Sequence, residues 1–213
     1  MTIHLVEKTS PDLSAAVKNN EIDIALPLVS KHEYFDPDLY EIIPLETEDL
    51  YLIISDELLC KYFSQQYPYC KSIFIDGVSV TDFSHVPMFL HPATSRLHKA
   101  IVSKLVQNGT PPFIRIKTSL TSSLVSLCAQ GHGIFFSTPM LLKHLYETQT
   151  KCFESLNVFP VTEFQGTRKT LLLYHKNKYL NRPLLSSIDI IKQVYKEHRY
   201  VMDRLHSKEI LLD

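Results

Sequence analysis

The chain has 213 residues, 45% of them hydrophobic and 21% charged, with a formal net charge of −1. That composition suits a globular protein of one large domain or two small lobes, able to bury a core without disulfides or metals. The near-neutral balance and the lack of a basic stripe argue against direct nucleic-acid binding, where phosphate neutralisation supplies most of the affinity.

In chain order, Ile3 to Glu7 has the composition of a strand, and Ser10-Pro11 then supplies an N-cap followed by proline at the first helical position. The helix expected over 11–19 sets Leu13, Ala16 and Val17 on one face. Ile22 to Leu26 is an almost continuous apolar run, the pattern of a strand covered on both faces of a parallel sheet. Strand, helix and strand in succession predict a right-handed βαβ unit. After a loop from Ser30 to Asp38, strands are expected over 39–45 and 49–55, joined tightly around Glu46, Thr47 and Glu48. Residues 56–76 are polar and aromatic and read as a helix with a loop.

A second cycle opens near Val80. Pro87 to Leu90 is a short strand ended by Pro92. Thr94 or Ser95 then caps a helix carrying Leu97, Ile101 and Leu105, which Asn108-Gly109 closes. A strand over 113–118 precedes a helix from Ser119, with Leu120, Leu124, Leu127 and Cys128 inward and a stop at Gly131. A strand over 134–136, Thr138-Pro139 and a helix to about Tyr146 complete a β-α-β-α-β-α order, that of a doubly wound sheet. The tail returns to strands at 157–161 and 170–175. A long helix after Pro183 then sets Leu184, Ile188, Ile191 and Tyr195 along one side. Two such cycles suggest two similar lobes. The stretch after Ile188 reads as a surface helix packing one side rather than as a partner-binding segment.

Cys60, Cys70, Cys128 and Cys152 show no CxxC spacing, which suggests a reducing compartment and leaves a Cys60–Cys70 bridge open. The opening MTIHLVEKTSPDL lacks the positive-then-apolar pattern of a secretory signal. No apolar stretch approaches the ~20 residues needed to cross a bilayer. The expectation is a cytoplasmic, soluble protein with no membrane partner.

Ten histidines invite a metal, but none falls in HExxH or pairs with a cysteine at helical spacing, so ligand spacing is absent. No GxSxG elbow, P-loop or GxGxxG occurs, and no cofactor is implied. Gly131-His132-Gly133 reads as a helix C-cap at Gly131 and close packing at Gly133. Hydroxyl residues say more. Ser10, Thr94, Ser95, Thr118, Ser119, Ser137 and Thr138 each lie where a strand ends or a helix begins, the edge at which open α/β sheets bind ligands. Helix N-termini offer free N–H groups and a positive dipole end to a carboxylate or phosphate. Arg96, in the first helical turn, can add a charge-assisted bond. The competing reading makes every one of these hydroxyls an ordinary N-cap, worth about 1 kcal/mol of helix stability.

Five segments carry a further signal: IHLVEKTSPDLSAAVKNNEIDIAL, EIIPLETEDLYLIIS, SVTDFSHVPMFLHPATSRLHKAI, TSLTSSLVSLCAQGHGIFFSTPMLL and TLLLYHKNKYLNRPLLSSIDIIKQV. Their order and spacing, over most of residues 3–195, resembles the effector-binding domain of LysR-type transcription regulators. The resemblance implies an α/β fold of the type 2 periplasmic-binding-protein kind, two Rossmann-like lobes joined by two crossover strands near 54–56 and 164–168. Lobe I would comprise 1–55 plus 166–213, and lobe II 56–165. It implies a sensor rather than an enzyme, holding a small effector between the lobes and responding by a population shift; with the helix starts and Arg96, the expected effector is an anionic metabolite. By matching position, Ser10 belongs to the first lobe's cleft loop and Thr94, Ser95 and Arg96 to the second lobe's, with Thr118 and Ser119 nearby. The family's partners follow: a small-molecule effector, a second copy in a homodimer, and DNA only through an N-terminal winged helix-turn-helix. That domain is expected to be absent here, as are the strand and helix with which the family's domain opens.

Rival readings are a transporter's solute-binding protein, an enzyme on the same architecture, and an interaction fragment that does not sense. The residues at the sheet edges supply hydroxyls and one arginine but no convergent acid/base or nucleophile set.

Overall fold

The computed structural model describes residues 2–8, 10–30 and 34–207, and the side chains of Ser10 and Arg96 lie outside that description. The elements run α1 (Ser10–Lys18), β1 (Leu28–Ser30), β2 (Tyr40–Thr47), β3 (Tyr51–Ser55), α2 (Asp56–Tyr62) and α3 (Cys70–Phe74). They continue with β4 (Met88–Leu90), α4 (Arg96–Gln107), β5 (Ile114–Lys117), α5 (Thr121–Ala129), β6 (Phe135–Ser137) and α6 (Pro139–Thr148). β7 (Leu156–Pro160), β8 (Arg168–His175) and α7 (Arg182–Ser207) complete the order. The chain divides into two units, Met1–Glu48 with Gly166–Tyr200, and Asp49–Gln165 with Val201–Asp213. This division falls earlier than the 55/56 boundary expected from sequence, because β3 hydrogen-bonds to β6 and β7 of the second unit.

The first unit is built on an antiparallel sheet of order β1-β8-β2, with a bulge in β2 between Pro44 and Glu46. One face packs Leu173 and Tyr40 against Val17 and Leu13 of α1. The other packs Leu172 and Leu45 against Leu184, Ile188, Ile191 and Tyr195 of α7, the inward side expected from sequence. A strand covered on both faces has no polar face to show, which is why β8 reads Leu171-Leu172-Leu173 without alternation.

Two expectations for this unit fail. Ile3–Glu7 is not a strand: it pairs with nothing regular among the described residues and leaves Ile3 65% and Leu5 93% exposed. Strand composition does not make a strand without a ladder partner. Ile22–Leu26 contributes only an antiparallel bridge from Ala25 to Leu173, with the strand displaced to Leu28–Ser30. The expected parallel βαβ start is therefore replaced by antiparallel pairing on β8.

In the second unit β3 lies between β6 and β7, antiparallel to both, and all five of its residues are buried. β4 and β5 pair in parallel, and a parallel bridge from Met88 to Ile134 leads from β4 into β6. One face carries Leu52, Ile54, Phe83, Met88, Ile101, Leu105 and Phe159; the other carries Ile53, Phe89, Val125, Cys128, Phe135 and Leu142. Each such buried side chain stabilises the fold by about 1.5–3 kcal/mol.

The stretch 56–76 holds two short helices, of which α2 is capped by the Ser55 hydroxyl accepting from the Leu58 amide. α5 begins at Thr121 rather than Ser119, so Leu120 faces outward, 66% exposed, instead of inward. All four cysteines are unpaired, with Cys70 and Cys128 buried, so Cys60 and Cys70 form no bridge.

Candidate functional site

β4, β5 and β6 run the same way, and each leads into a helix: α4, α5 and α6 in turn. Their following loops therefore gather on one edge of the second unit. The Thr118 amide donates to the Leu90 carbonyl at 3.0 Å and so ties the start of one loop to the end of the neighbouring strand. Thr94, Ser95, Thr118, Ser119, Ser137 and Thr138 share this edge. Ser10 opens α1 in the first unit, and Arg96 is the first residue of α4.

On the first loop, Ser95 occupies the N-cap position with extended backbone (φ −66°, ψ 138°), yet its hydroxyl accepts no capping bond from the helix. Its own amide donates to the Pro92 carbonyl at 2.8 Å, which folds the loop back onto itself. Among the described residues the amides of Leu97 and His98 meet no acceptor. Thr94 is exposed beside them. His98, in the same first turn, is buried, and its Nδ1 lies 2.8 Å from the His91 carbonyl oxygen. Burial, reinforced by the neighbouring His98, holds the His91 imidazole below the usual histidine range.

On the second loop, the half-buried Thr118 takes the Leu120 amide onto its hydroxyl at 3.0 Å, a local turn rather than a helix cap. Ser119 is exposed, and Leu120 stands at the N-cap of α5 with no side-chain bond to offer. On the third, Thr138 is the N-cap of α6 and Pro139 its first residue, again with no capping bond from the side chain. Ser137, 1% exposed, reaches only the Thr138 carbonyl among the described residues, at 3.4 Å, long for a hydroxyl donor.

Three helix starts thus meet one edge without side-chain caps. The N-cap alternative is not realised at Ser95 or Thr138, whose hydroxyls remain free of that duty. Uncapped amides and converging dipoles favour an anion there. In the sequence His98 lies in no motif, and Ser137 is one of several edge hydroxyls. The available signal for His98 was its place on the buried face of α4, three and four residues before Ile101 and Val102. Gly131-His132-Gly133 has the structure expected. Gly131 (φ +71°) ends α5, its amide donating to Cys128 and that of His132 to Leu127. Gly133 lies where a Cβ would meet the Phe89 ring and the Pro87 carbonyl. Among the described residues no group of three or more His, Cys, Asp or Glu side chains is placed to hold a metal, and no helix is long and apolar enough to cross a membrane.

The sequence matches the family described as LysR substrate binding domain over residues 1–196. No curated protein sequence matches the chain. Among solved structures it is similar to the Corynebacterium glutamicum OxyR C206 mutant, with a TM-score of 0.54 and 16% identity over 99% of this chain and 58% of that one. The chain thus spans 58% of the length of that OxyR. It is also similar to the BenM effector binding domain with its effector benzoate, with a TM-score of 0.50 and 16% identity over 92% of this chain and 79% of that one. At these identities the likeness shows the fold, α/β and of the type 2 periplasmic-binding-protein kind. With nearly its whole length matched, the chain belongs to the LysR substrate-binding domain family.

Proposed function

We propose that this chain is the ligand-sensing domain of a homodimeric LysR-type transcription regulator, and that it binds a small anionic metabolite to control transcription through a winged helix-turn-helix domain. One observation carries the reading: the starts of α4, α5 and α6 meet one edge of the second unit with no side-chain caps. Benzoate, named as the effector of the similar BenM domain, is a small carboxylate and supports the same ligand class. The edge supplies hydroxyls, amides and imidazole, which suit holding a ligand, and the output is a population shift rather than a turnover. Such a shift requires the ligand to favour one arrangement of the protein over another.

The test is the unfolding temperature of the chain with carboxylic acids, amino acids and sugar phosphates. A ligand present at about 100 times its dissociation constant adds about 2.7 kcal/mol to the state that binds it. One chemical class is expected to raise the midpoint. Ser95→Ala, Thr94→Ala and Arg96→Ala are each expected to weaken that ligand about tenfold, the worth of one lost charge-assisted bond. Unchanged affinity in all three would remove the α4 loop from the site.

A further inference from the structure

The formal charge of −1 is the balance of unlike stretches. From Ser84 to Tyr146 the sequence has no aspartate or glutamate and six cationic residues: Arg96, Lys99, Lys104, Arg115, Lys117 and Lys143. Residues 1–48 hold ten acidic residues against three lysines. The fold keeps these stretches in different units: 84–146 supplies β4, β5, β6 and the helices that follow them to the second, and 1–48 opens the first.

α4 and β5 pack into one core through Ile101, Leu105 and Ile114, so their outer residues share a flank of the second unit. Lys99, Arg115 and Lys117 are exposed there and form no ion pair among the described residues. Val106, two turns beyond Lys99 on the same side of α4, is 60% exposed, and Phe113, just ahead of β5, is 53% exposed. In the first unit Ile3, Leu5 and Val6 are exposed beside Glu7. Glu21 is held next to that segment by its 3.7 Å ion pair with Lys8. Each surface thus joins exposed apolar side chains to one sign of charge, the make-up of an interface with an apolar centre and a charged rim.

We infer that the flank of α4 and β5 in one copy docks on the surface around Leu5, Glu7 and Glu21 of a second copy, held in register by opposite charge. Made reciprocally, the contact closes at a dimer. A second copy is the occupant because the same chain carries both halves, one of each per molecule. This rests on the reading of the chain as homodimeric and adds the surfaces and the force that join the copies. Exposed charges are screened by salt, so the dimer loosens as ionic strength rises.

Sedimentation equilibrium of the full chain tests it. The dimer dissociation constant is expected to rise about tenfold between about 0.05 M and about 0.5 M salt. Reversing the basic flank with Lys99→Glu, Arg115→Glu and Lys117→Glu is expected to leave a monomer at low salt, folded by circular dichroism. Reversing the acidic surface with Glu7→Lys and Glu21→Lys is expected to do the same. An equimolar mixture of the two reversed proteins is expected to pair again, since one then offers acid on both surfaces and the other base on both. A dimer that ignores salt and survives both reversals would overturn the inference and leave the homodimeric reading standing. Reversed proteins that stay apart when mixed would overturn the direct contact. A chain that is monomeric at every salt concentration would remove the homodimeric reading and the inference with it.

Discussion

Gly133 shows how much can depend on one missing side chain. A Cβ at this position would lie 2.8 Å from the Pro87 carbonyl oxygen and 2.7 Å from the Phe89 ring. The carbonyl belongs to the backbone that hydrogen-bonds Ile134, so it cannot yield without breaking the join between β4 and β6. Gly133→Ala is expected to cost about 1–3 kcal/mol in denaturant unfolding. Gly109, with nothing within 4 Å of its virtual Cβ, serves as the comparison, and its alanine variant meets only the strain of φ +69°. A cost at Gly133 no larger than at Gly109 would contradict the close approach. At this scale the sequence was readable wherever the chemistry was local. A Ser or Thr before an amphipathic run marks a helix start, and a glycine after one marks its end. The burial of His98 was not readable, because its Nδ1 meets a carbonyl seven residues away that only the folded loop brings to it.

Elements show where composition competes with pairing. β8 was legible as a strand because both faces are covered, whereas Ile3–Glu7 is also largely apolar but has no partner strand among the described residues. The start of α5 moved two residues because Thr118 closes a local turn onto Leu120, leaving Ser119 outside the helix. Just past β2, Glu48 donates its amide to the Arg168 carbonyl, and burial raises its carboxyl above the usual range despite the opposing charge of Arg168. Between the ordinary carboxylate value and the raised one, the folded state binds more of this proton than the unfolded chain does. Stability is present below the ordinary carboxylate value and is lost as pH rises through the raised one. Glu48→Gln is therefore expected to gain stability relative to the unsubstituted chain as pH rises from the ordinary carboxylate range to neutral. Equal pH dependence in the two proteins would show that the carboxyl is not desolvated.

For the whole molecule, the order of segments carried more than any single element did. Several boundaries and one parallel pairing were misplaced, yet the family and its α/β fold follow from the succession of pieces. The division between units was harder to read, because β2 and β3 are adjacent in sequence and belong to different sheets. Each unit has its own core. Phe159, fully buried against Phe74 with ring centroids 5.5 Å apart, lies in that of the second. Phe159→Ala is expected to cost about 3–5 kcal/mol. Hydrogen exchange should report that loss first in 49–165, with the amides of β8 and β2 retaining more of their protection. Uniform loss across both units would show a single cooperative core.

The proposed function requires a small acid to bind where α4, α5 and α6 begin. Amide chemical-shift mapping of the nitrogen-15-labelled chain, titrated with whichever acid most raises its unfolding temperature, tests this most directly. The largest shifts are expected on Leu97, His98, Leu120 and the amides around Thr138. Shifts concentrated elsewhere, or no shifts with any acid of the panel, would contradict it.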